Sequence, residues 1–461
     1  MAEVTLSQIL DARENRAKKQ KQLLRKFQKP LICFTMNIAG PVKLTPEITR
    51  GFCFGSGLLL ARLAKSGFVP LHIEEQLLPT GCEGYYIVDA PAEKIKALTV
   101  ALEEGSPLGR LFDLDVLTPS GEKLERPVPR RCLICGETAA VCSRSRAHSV
   151  AQLQEATAKL LSQISKSQLI GCLAQKALIL EVCCTPKPGL VDRENQGSHR
   201  DMDIFTFFKS ITALGSYFRE CAQIGEDTAH LPAKDTFQKL REAGIRAEKA
   251  MFAATVGVNT HKGAIFTLGL LCGSAGRLHS FDPELLCQEA AAMVQGIVAR
   301  ELAGVSAESA LTAGQQLYRR YGITGVRGEA EQGFPSVLNI GLPVLNQGLA
   351  QGLDLNDSGC AALLAILAHS EDTNLITRGG REAQLHLKNK LQSLLQENPY
   401  PSRQTLQQLD EEFIQKNLSP GGSADLLAAC YFLQQLQNLP LEGSATRSES
   451  KLTYLPVADI P

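Results

Sequence analysis

The sequence predicts two domains, an N-terminal α+β domain over residues 1–165 and a C-terminal all-α domain over residues 166–440. The chain has 461 residues, and domains usually hold about 100–200. Short β-rich and helical segments alternate only in the first part. Beyond it, long Ala-, Leu- and Gly-rich helical segments alternate with polar loops. The polar segment 162–168 is the expected linker, and the aperiodic residues 441–461 are the expected tail.

Local patterns predict the elements of the first domain in order. A charged amphipathic helix is expected over residues 9–27 and further helices over 52–65 and 91–104, the last with Pro91 near its first turn. Strands are expected over residues 31–38, 69–73, 85–88 and 111–117, and a turn over 118–121. The sequence shows no internal repeat.

Composition excludes several classes of protein. Lys and Arg total 48 and Asp and Glu total 48, so the basic surplus typical of nucleic-acid or anionic-membrane binding is missing. Aromatic residues, at 5%, are few for base stacking. The N-terminus does not resemble a signal peptide, and apolar runs such as 263–271 are far shorter than the roughly 18 residues of a membrane span. We therefore expect a cytoplasmic protein whose 14 cysteines are reduced.

An acidic pair lies in the segment GRLFDLDV, residues 109–116. Side chains alternate along a strand, so Asp113 and Asp115 share one face while their apolar neighbours point into a core. Two adjacent carboxylates repel each other unless a cation separates them, and Mg²⁺ with substrate phosphates suits such a pair. Arg110 is a candidate phosphate contact. The alternative is a solvated strand face, which the apolar flanks disfavour.

A second cluster contains Cys132, Cys135, Cys142 and His148. Three cysteines and one histidine suit tetrahedral zinc in type, although the C-x5-H half is irregular for a common finger. The alternative is a set of reduced thiols beside a basic, phosphate-binding run that includes Arg144.

Six polar, glycine-broken segments lie between helices of the second domain. They are residues 185–192, 197–203, 257–263, 327–335, 371–380 and 419–425. Helix N-termini bind phosphate readily, and these segments add both cations and carboxylates. Each segment alone is ordinary, as when Ser423 caps a helix. Six together predict a site for a magnesium-bound nucleoside triphosphate.

The segments 79–85, 109–116, 130–135 and 142–149 together resemble holo-citrate lyase synthase over roughly residues 5–162. The resemblance implies transfer of a phosphoribosyl-dephospho-CoA unit to a serine of the citrate lyase acyl carrier protein, with release of pyrophosphate. It also implies a nucleotidyltransferase-like fold, with Asp113 and Asp115 as catalytic metal ligands. However, Gly105-Ser106 precedes Asp113 by a shorter gap than the nucleotidyltransferase pattern usually has.

The six segments of the second domain, in order, resemble triphosphoribosyl-dephospho-CoA synthase over roughly residues 168–438. The resemblance implies that the 2′-hydroxyl of dephospho-CoA attacks the ribose C1 of ATP, adenine leaves and the triphosphate is retained. Such a substitution resembles glycoside cleavage, with an oxocarbenium-like transition state.

The same resemblance supports these positions, and the division of roles among them is our own hypothesis. Asp203 or Asp372 is the expected base, and Asp201, Glu329 and Asp372 are the expected metal ligands. Phosphate or substrate contacts are expected from Lys187, His199, Asn259, His261, Lys262, Arg327, Arg378 and Ser423. The product of the second domain is the expected donor for the first. Two alternatives stay open: the corresponding pathway for malonate decarboxylase, and a non-catalytic regulator that binds zinc and nucleotide.

Overall fold

The computed structural model describes residues 3–303 and 312–440. The chain divides into two compact units, Met1–Leu169 and Ile170–Pro461. The predicted tail, residues 441–461, lies outside the described residues. The exact domain limits that the sequence predicts stay predictions.

The first unit contains a four-stranded antiparallel sheet. Its strands are β1 (Leu31–Met36), β2 (Val69–Leu78), β3 (Gly81–Asp89) and β4 (Phe112–Leu117), in the order β2-β3-β1-β4. Its helices are α1 (Leu6–Phe27), α2 (Pro46–Lys65), α3 (Ala92–Glu104), α4 (Ala139–Ser145) and α5 (Val150–Leu161). The β1-α2-β2-β3-α3-β4 connectivity is that of the ferredoxin-like βαββαβ arrangement. The α+β class is confirmed, whereas the nucleotidyltransferase-like fold stays a prediction.

Several element limits of this unit differ from those predicted, among them the start of α2 and the end of β2. Helix α2 starts at Pro46 rather than residue 52, because the Thr45 side chain accepts a hydrogen bond from the Ile48 N–H and Pro46 occupies the first turn. Strand β2 continues to Leu78 rather than ending at residue 73, because it pairs with β3 along the whole hairpin. Neither signal depends on hydrophobic periodicity, which set the predicted limits.

The sheet of the first unit is covered on both faces. Leu23 and Leu24 of α1 pack with Cys33 and Tyr85 on one face. On the other face, Gly55 of α2 lets the rings of Phe34 and Phe112 approach, since a Cβ there would lie 2.7 Å from Phe34. The acidic pair on β4 therefore belongs to the face that carries α1.

The described residues of the second unit form helices and loops only, as predicted. The helices are α6 (Lys166–Cys183), which begins just before the division, α7 (Ile204–Asp227), α8 (Ala233–Ala254), α9 (Lys262–Arg277), α10 (Pro283–Val294), α11 (Ala313–Tyr321), α12 (Gly325–Glu331), α13 (Leu342–Ala350), α14 (Leu355–His369), α15 (Thr373–Glu397), α16 (Arg403–Gln415) and α17 (Gly421–Gln437). None of the helices in the described part of the chain is long and apolar enough to cross a membrane.

Helices α9, α14 and α17 form the centre of this unit. Residues 358–368 of α14 and 426–433 of α17 are buried without interruption. Small residues allow close packing of α9, where a Cβ at Gly276 would lie 2.1 Å from the Ala222 carbonyl oxygen of α7. This rigid centre fixes the N-terminal ends of α9 and α17.

Candidate active sites

A cleft of about 600 Å³ lies in the second unit. The N-terminal ends of α9, α15 and α17 line it, together with the loop between α6 and α7. Of the site residues predicted for this unit, all but Asp203 line this cleft: Lys187, His199, Asp201, Asn259, His261, Lys262, Arg327, Glu329, Asp372, Arg378 and Ser423. The structure thus brings the six glycine-broken segments to one place.

Three helix starts give the cleft an anion-binding character. Each N-terminus presents N–H groups that have no partner within the helix, and the helix dipole adds positive potential there. Helix α17 begins with Gly421 and Gly422, which have no side chains to cover its N-terminus, and both glycines line the cleft. A polyphosphate is the kind of ligand that such a convergence favours.

Three predicted cations lie at the cleft with partners that a ligand could replace. Arg378 donates from Nη1 to the Ser198 carbonyl oxygen at 2.9 Å. Lys262 Nζ lies 3.1 Å from Glu248, and its side chain is 57% exposed. Arg327 donates from Nε to Glu301 at 2.7 Å. Exposed ion pairs such as those of Lys262 and Arg327 are worth about 1 kcal/mol or less, so these two side chains remain available to phosphate.

Lys187 is placed differently from these three. It is 1% exposed, and its Nζ donates to the buried carboxylate of Glu181 on α6. Burial raises the pKa of Glu181, and the ammonium of Lys187 opposes that rise. Its backbone N–H also donates to Asp192 at 2.9 Å. Lys187 therefore anchors the loop between α6 and α7 at the floor of the cleft.

Asp372 lies in the cleft wall, but both of its oxygens are already used. Oδ1 accepts from the N–H groups of Asn374 and Leu375, and Oδ2 accepts from the N–H and hydroxyl of Ser423, all within 2.7–3.0 Å. Burial raises the pKa of Asp372 against these four donors. The carboxylate ties the starts of α15 and α17 together. This arrangement disfavours both expected roles of Asp372, as a base and as a metal ligand.

Asp203 is outside the lining of the cleft. Its Oδ1 accepts from the Thr206 N–H at 2.8 Å and from the Thr206 hydroxyl at 2.7 Å, which caps α7. These hydrogen bonds oppose the effect of burial and lower the pKa of Asp203. A helix-capping carboxylate is poorly placed to act as a base in the cleft, so we do not retain that role for Asp203.

Asp425 was not among the predicted site residues, although its segment was. It lies on α17 and lines the cleft. Gly263 at the start of α9 makes room for it, since a Cβ there would lie 2.0 Å from Asp425 Oδ2. Burial, together with the carboxylates of Glu181 and Asp372, raises the pKa of Asp425 well above its usual range. Perturbed carboxyl groups in a cleft are candidates for proton transfer.

His261 is 2% exposed and precedes α9. Its Nδ1 lies 2.7 Å from the Ser210 hydroxyl, while Nε2 finds no hydrogen-bond partner among the described residues. Burial and the nearby Lys187 lower the pKa of His261 to about 3, so the ring is neutral. When Ser210 donates to Nδ1, the proton sits on Nε2, which is then a donor without an acceptor.

Glu329 and His199 complete the cleft. Both oxygens of Glu329 interact with Ser336, and burial raises the pKa of the Glu329 carboxyl. His199 Nε2 lies 2.7 Å from the Ser419 hydroxyl, and its Nδ1 lies 3.8 Å from Asp201. Asp201 itself is 64% exposed.

The acidic pair of the first unit lies on one face of β4, as predicted. Burial alternates along this strand, with Asp113 and Asp115 about one third exposed between buried neighbours. Asp113 Oδ1 accepts from Arg130 at 2.9 Å, and Asp115 Oδ2 accepts from Lys123 at 2.7 Å. Each pair occupies one carboxylate oxygen.

A buried network behind this pair was not predicted. Glu103 of α3 is 3% exposed and accepts from the Leu114 N–H at 2.7 Å. It also accepts from Arg126, and from Arg130 at 2.6 Å. Arg130 therefore bridges a buried carboxylate and Asp113. No spacing in the sequence links residues 103, 113 and 130, because only the tertiary fold brings them together.

The two arginines predicted to bind phosphate at this site, Arg110 and Arg144, make no direct contact with the acidic pair among the contacts of the described residues. Arg110 lies in the 3-10 turn before β4, and burial together with Arg130 lowers its pKa. Arg144 is exposed on α4, the helix that carries Cys142. The contacts known for the described residues do not link Arg144 to either aspartate. Beside Arg144, the ligand atoms of Cys132, Cys135, Cys142 and His148 lie within 4.8 Å of one another.

Two family models match the chain. Residues 4–164 match CitX, described as apo-citrate lyase phosphoribosyl-dephospho-CoA transferase. Residues 167–443 match CitG, described as ATP:dephospho-CoA triphosphoribosyl transferase.

Similar proteins match one or both parts. The chain is 36% identical to protein CitXG of Haemophilus influenzae over 94% of this chain and 96% of that protein. It is 34% identical to protein CitXG of Leuconostoc mesenteroides subsp. cremoris over 94% and 97%. A probable 2-(5''-triphosphoribosyl)-3'-dephosphocoenzyme-A synthase of Albidiferax ferrireducens is 45% identical over 59% of this chain and 92% of that protein.

Proposed function

Since this chain belongs to the CitXG family, whose members combine a CitX and a CitG domain, we propose roles for the residues of its two sites. The chain is a bifunctional transferase that makes the prosthetic group of citrate lyase and attaches it. ATP is the substrate of the CitG part. The observation that carries the assignment of residues is the cleft where three helix starts meet a perturbed carboxyl group, Asp425.

In the CitG part, the cleft holds the triphosphate of ATP without cleaving it. The positive ends of the α9, α15 and α17 dipoles face the phosphates, and Lys262, Arg327 and Arg378 add positive charge from the rim. No group is positioned as a nucleophile toward phosphorus in this assignment. Binding energy at the triphosphate instead orients the ribose C1 toward the 2′-hydroxyl of dephospho-CoA.

Asp425 supplies the proton for the departing adenine. As the 2′-oxygen bonds to C1, the C1–N9 bond breaks and its electron pair goes to adenine. The raised pKa favours the protonated form of Asp425, which is the form a general acid needs. The Nε2–H of His261 donates to the purine ring, and Glu329 accepts the hydroxyl proton. Glu329 replaces Asp203 and Asp372 as our candidate base.

Mg²⁺ fits the carboxylates at both sites. In the cleft, Asp201 is the candidate ligand beside the substrate phosphates; on β4, Asp113 and Asp115 each retain one oxygen outside their ion pairs. When bound, the ion would neutralise charge on the triphosphate or on departing pyrophosphate.

In the CitX part, a serine hydroxyl of the citrate lyase acyl carrier protein attacks the phosphoryl group next to the ribose, and pyrophosphate leaves with the electrons of the broken P–O bond. Asp113 and Asp115 lie at this centre, and Arg130 holds Asp113 in place. The family model that matches residues 4–164 is described for apo-citrate lyase, which leads us to choose this carrier protein. We thus propose that Asp113 and Asp115 act as the paired carboxylates of a nucleotidyltransferase-like mechanism.

The test follows the products of ATP. The full chain, ATP, Mg²⁺ and dephospho-CoA should yield free adenine and an adduct that retains three phosphates. Adding apo carrier protein should then release pyrophosphate. ADP in place of adenine would contradict the assignment of the cleft. Asp425→Asn should abolish adenine release, while His230→Gln, on the loop between α7 and α8, serves as a control outside the cleft.

A further inference from the structure

The segment between β4 and α5 contains three cysteines and a histidine that the two reactions do not use. Cys135 Sγ lies 3.4 Å from Cys142 Sγ and 3.2 Å from His148 Nε2. With Cys132, all four ligand atoms lie within 4.8 Å of one another. These distances bracket the geometry of tetrahedral zinc, about 3.8 Å between two sulfurs and about 3.6 Å between sulfur and nitrogen.

The backbone around these residues is shaped to present sulfur atoms. The Ile134 N–H points at Cys132 Sγ at 3.5 Å, and Gly136 has a φ of 76°, in the left-handed region. The Cys132 N–H donates to the Glu137 carbonyl oxygen, which closes a tight turn over Cys132 to Gly136. An amide that donates to sulfur stabilises a thiolate, the form that binds metal.

The segment has little apolar burial to hold it. Val128 and Val141 are 58% and 59% exposed, and Ile134 is 40% exposed. Cys142 is the buried residue of α4. A segment with so small a core usually depends on a staple such as a metal ion.

We propose that Cys132, Cys135, Cys142 and His148 bind one zinc ion, which orders the segment that delivers Arg130 to Asp113. Four protein ligands leave no open position, so the ion is structural rather than catalytic. Three thiolates and Zn²⁺ give a net charge of about −1, which the exposed Arg131, Arg144 and Arg146 can offset. The basic run beside the cysteines thus has a role other than binding substrate phosphate.

The consequence for the CitX part follows from the chain path. Arg130 lies two residues before Cys132, and its carbonyl oxygen accepts from the Ala139 N–H at 2.8 Å. Its side chain reaches both Glu103 and Asp113. Arg130 is a positioning residue in this proposal, which rests on the assignment of Asp113 to the transfer centre.

Metal content tests the site directly. Full-length protein, purified without a metal-affinity tag, should contain about one zinc per chain, and Cys135→Ser should lower this below about 0.1. Cys53→Ser, which removes a partly exposed cysteine of the same unit, should retain full zinc. Replacing zinc by Co²⁺ should give thiolate-to-cobalt charge-transfer absorption in the wild-type chain only if the cysteines are ligands.

Two results would overturn the proposal. One is wild-type protein free of zinc whose 14 cysteines all react with a thiol reagent after unfolding. The other is zinc-free protein that has lost two hydrogens by mass to a disulfide within the cluster. Neither measurement needs a variant that folds. Adenine release should be unchanged in Cys135→Ser while pyrophosphate release falls at least tenfold, which separates failure of the zinc site from failure of the cleft assignment.

Discussion

Gly263→Ala tests the position of Asp425 without touching its chemistry. The added Cβ would lie 2.0 Å from Asp425 Oδ2 and 2.9 Å from its Cγ. Ordinary contact begins at 3.4 Å, so the carboxyl group must move by about 1.4 Å or α9 must shift. Misplacing a catalytic group by about 1 Å costs on the order of 100-fold in rate, or about 2.7 kcal/mol in the barrier.

The assay measures adenine released from ATP in the presence of dephospho-CoA, and chromatography quantifies the adenine. We expect Gly263→Ala to lower kcat about 100-fold while pyrophosphate release from supplied intermediate is unchanged. Gly244→Ala on α8 is the matched control, because its Cβ would meet Tyr217 Oη at an ordinary 3.5 Å. Wild-type adenine release by Gly263→Ala, in a protein of unchanged melting temperature, would refute the role of Asp425.

Three further predictions concern two carboxylates of the cleft and the arginine beside Asp113. A carboxyl group with a raised pKa binds its proton more tightly in the folded protein, so the folded state loses stability as pH rises above about 4. The Asn side chain does not ionise, so Asp425→Asn should melt a few degrees higher than wild type at pH 8 but not at pH 4. Calorimetry at the two pH values checks this. Asp372→Asn should lower the melting temperature by about 5–10 °C, since it disrupts charge-assisted hydrogen bonds worth about 2–3 kcal/mol. An unchanged melting temperature would mean that Asp372 does not stabilise the contact between the starts of α15 and α17. Arg130→Gln should slow pyrophosphate release at least tenfold and leave adenine release intact, and equal loss of both activities would argue against its local role.

The features that the sequence predicted best depend on short-range periodicity. Alternation along a strand is set by backbone geometry, so the shared face of Asp113 and Asp115 was predictable. Loops between packed helices meet at the ends of the bundle, so the convergence of the six segments was also predictable. The ends of helices and strands that depend on a capping side chain or on strand pairing were not predictable, as the start of α2 after Thr45 and the end of β2 show.

Individual roles required the tertiary structure. Asp203 and Asp372 lie in polar, glycine-broken segments where a catalytic carboxylate is expected. In the structure, however, their oxygens accept hydrogen bonds from backbone N–H groups at helix starts. In the sequence, Asp425 lies in a segment that resembles an ordinary helix start. Only the tertiary structure shows that it is buried against Gly263 and near the carboxylates of Glu181 and Asp372. A sequence reveals that a carboxylate is near a helix start, but not which donors it meets.

The most direct test of two separate centres is the mass of apo carrier protein after incubation with ATP, Mg²⁺ and dephospho-CoA. Asp113→Asn alone should release adenine and leave the carrier unmodified, and Asp425→Asn alone should release no adenine and also leave the carrier unmodified. The two variants mixed should load the carrier, because each supplies the centre that the other lacks. Loading by either variant alone, or adenine release by Asp425→Asn, would contradict the account.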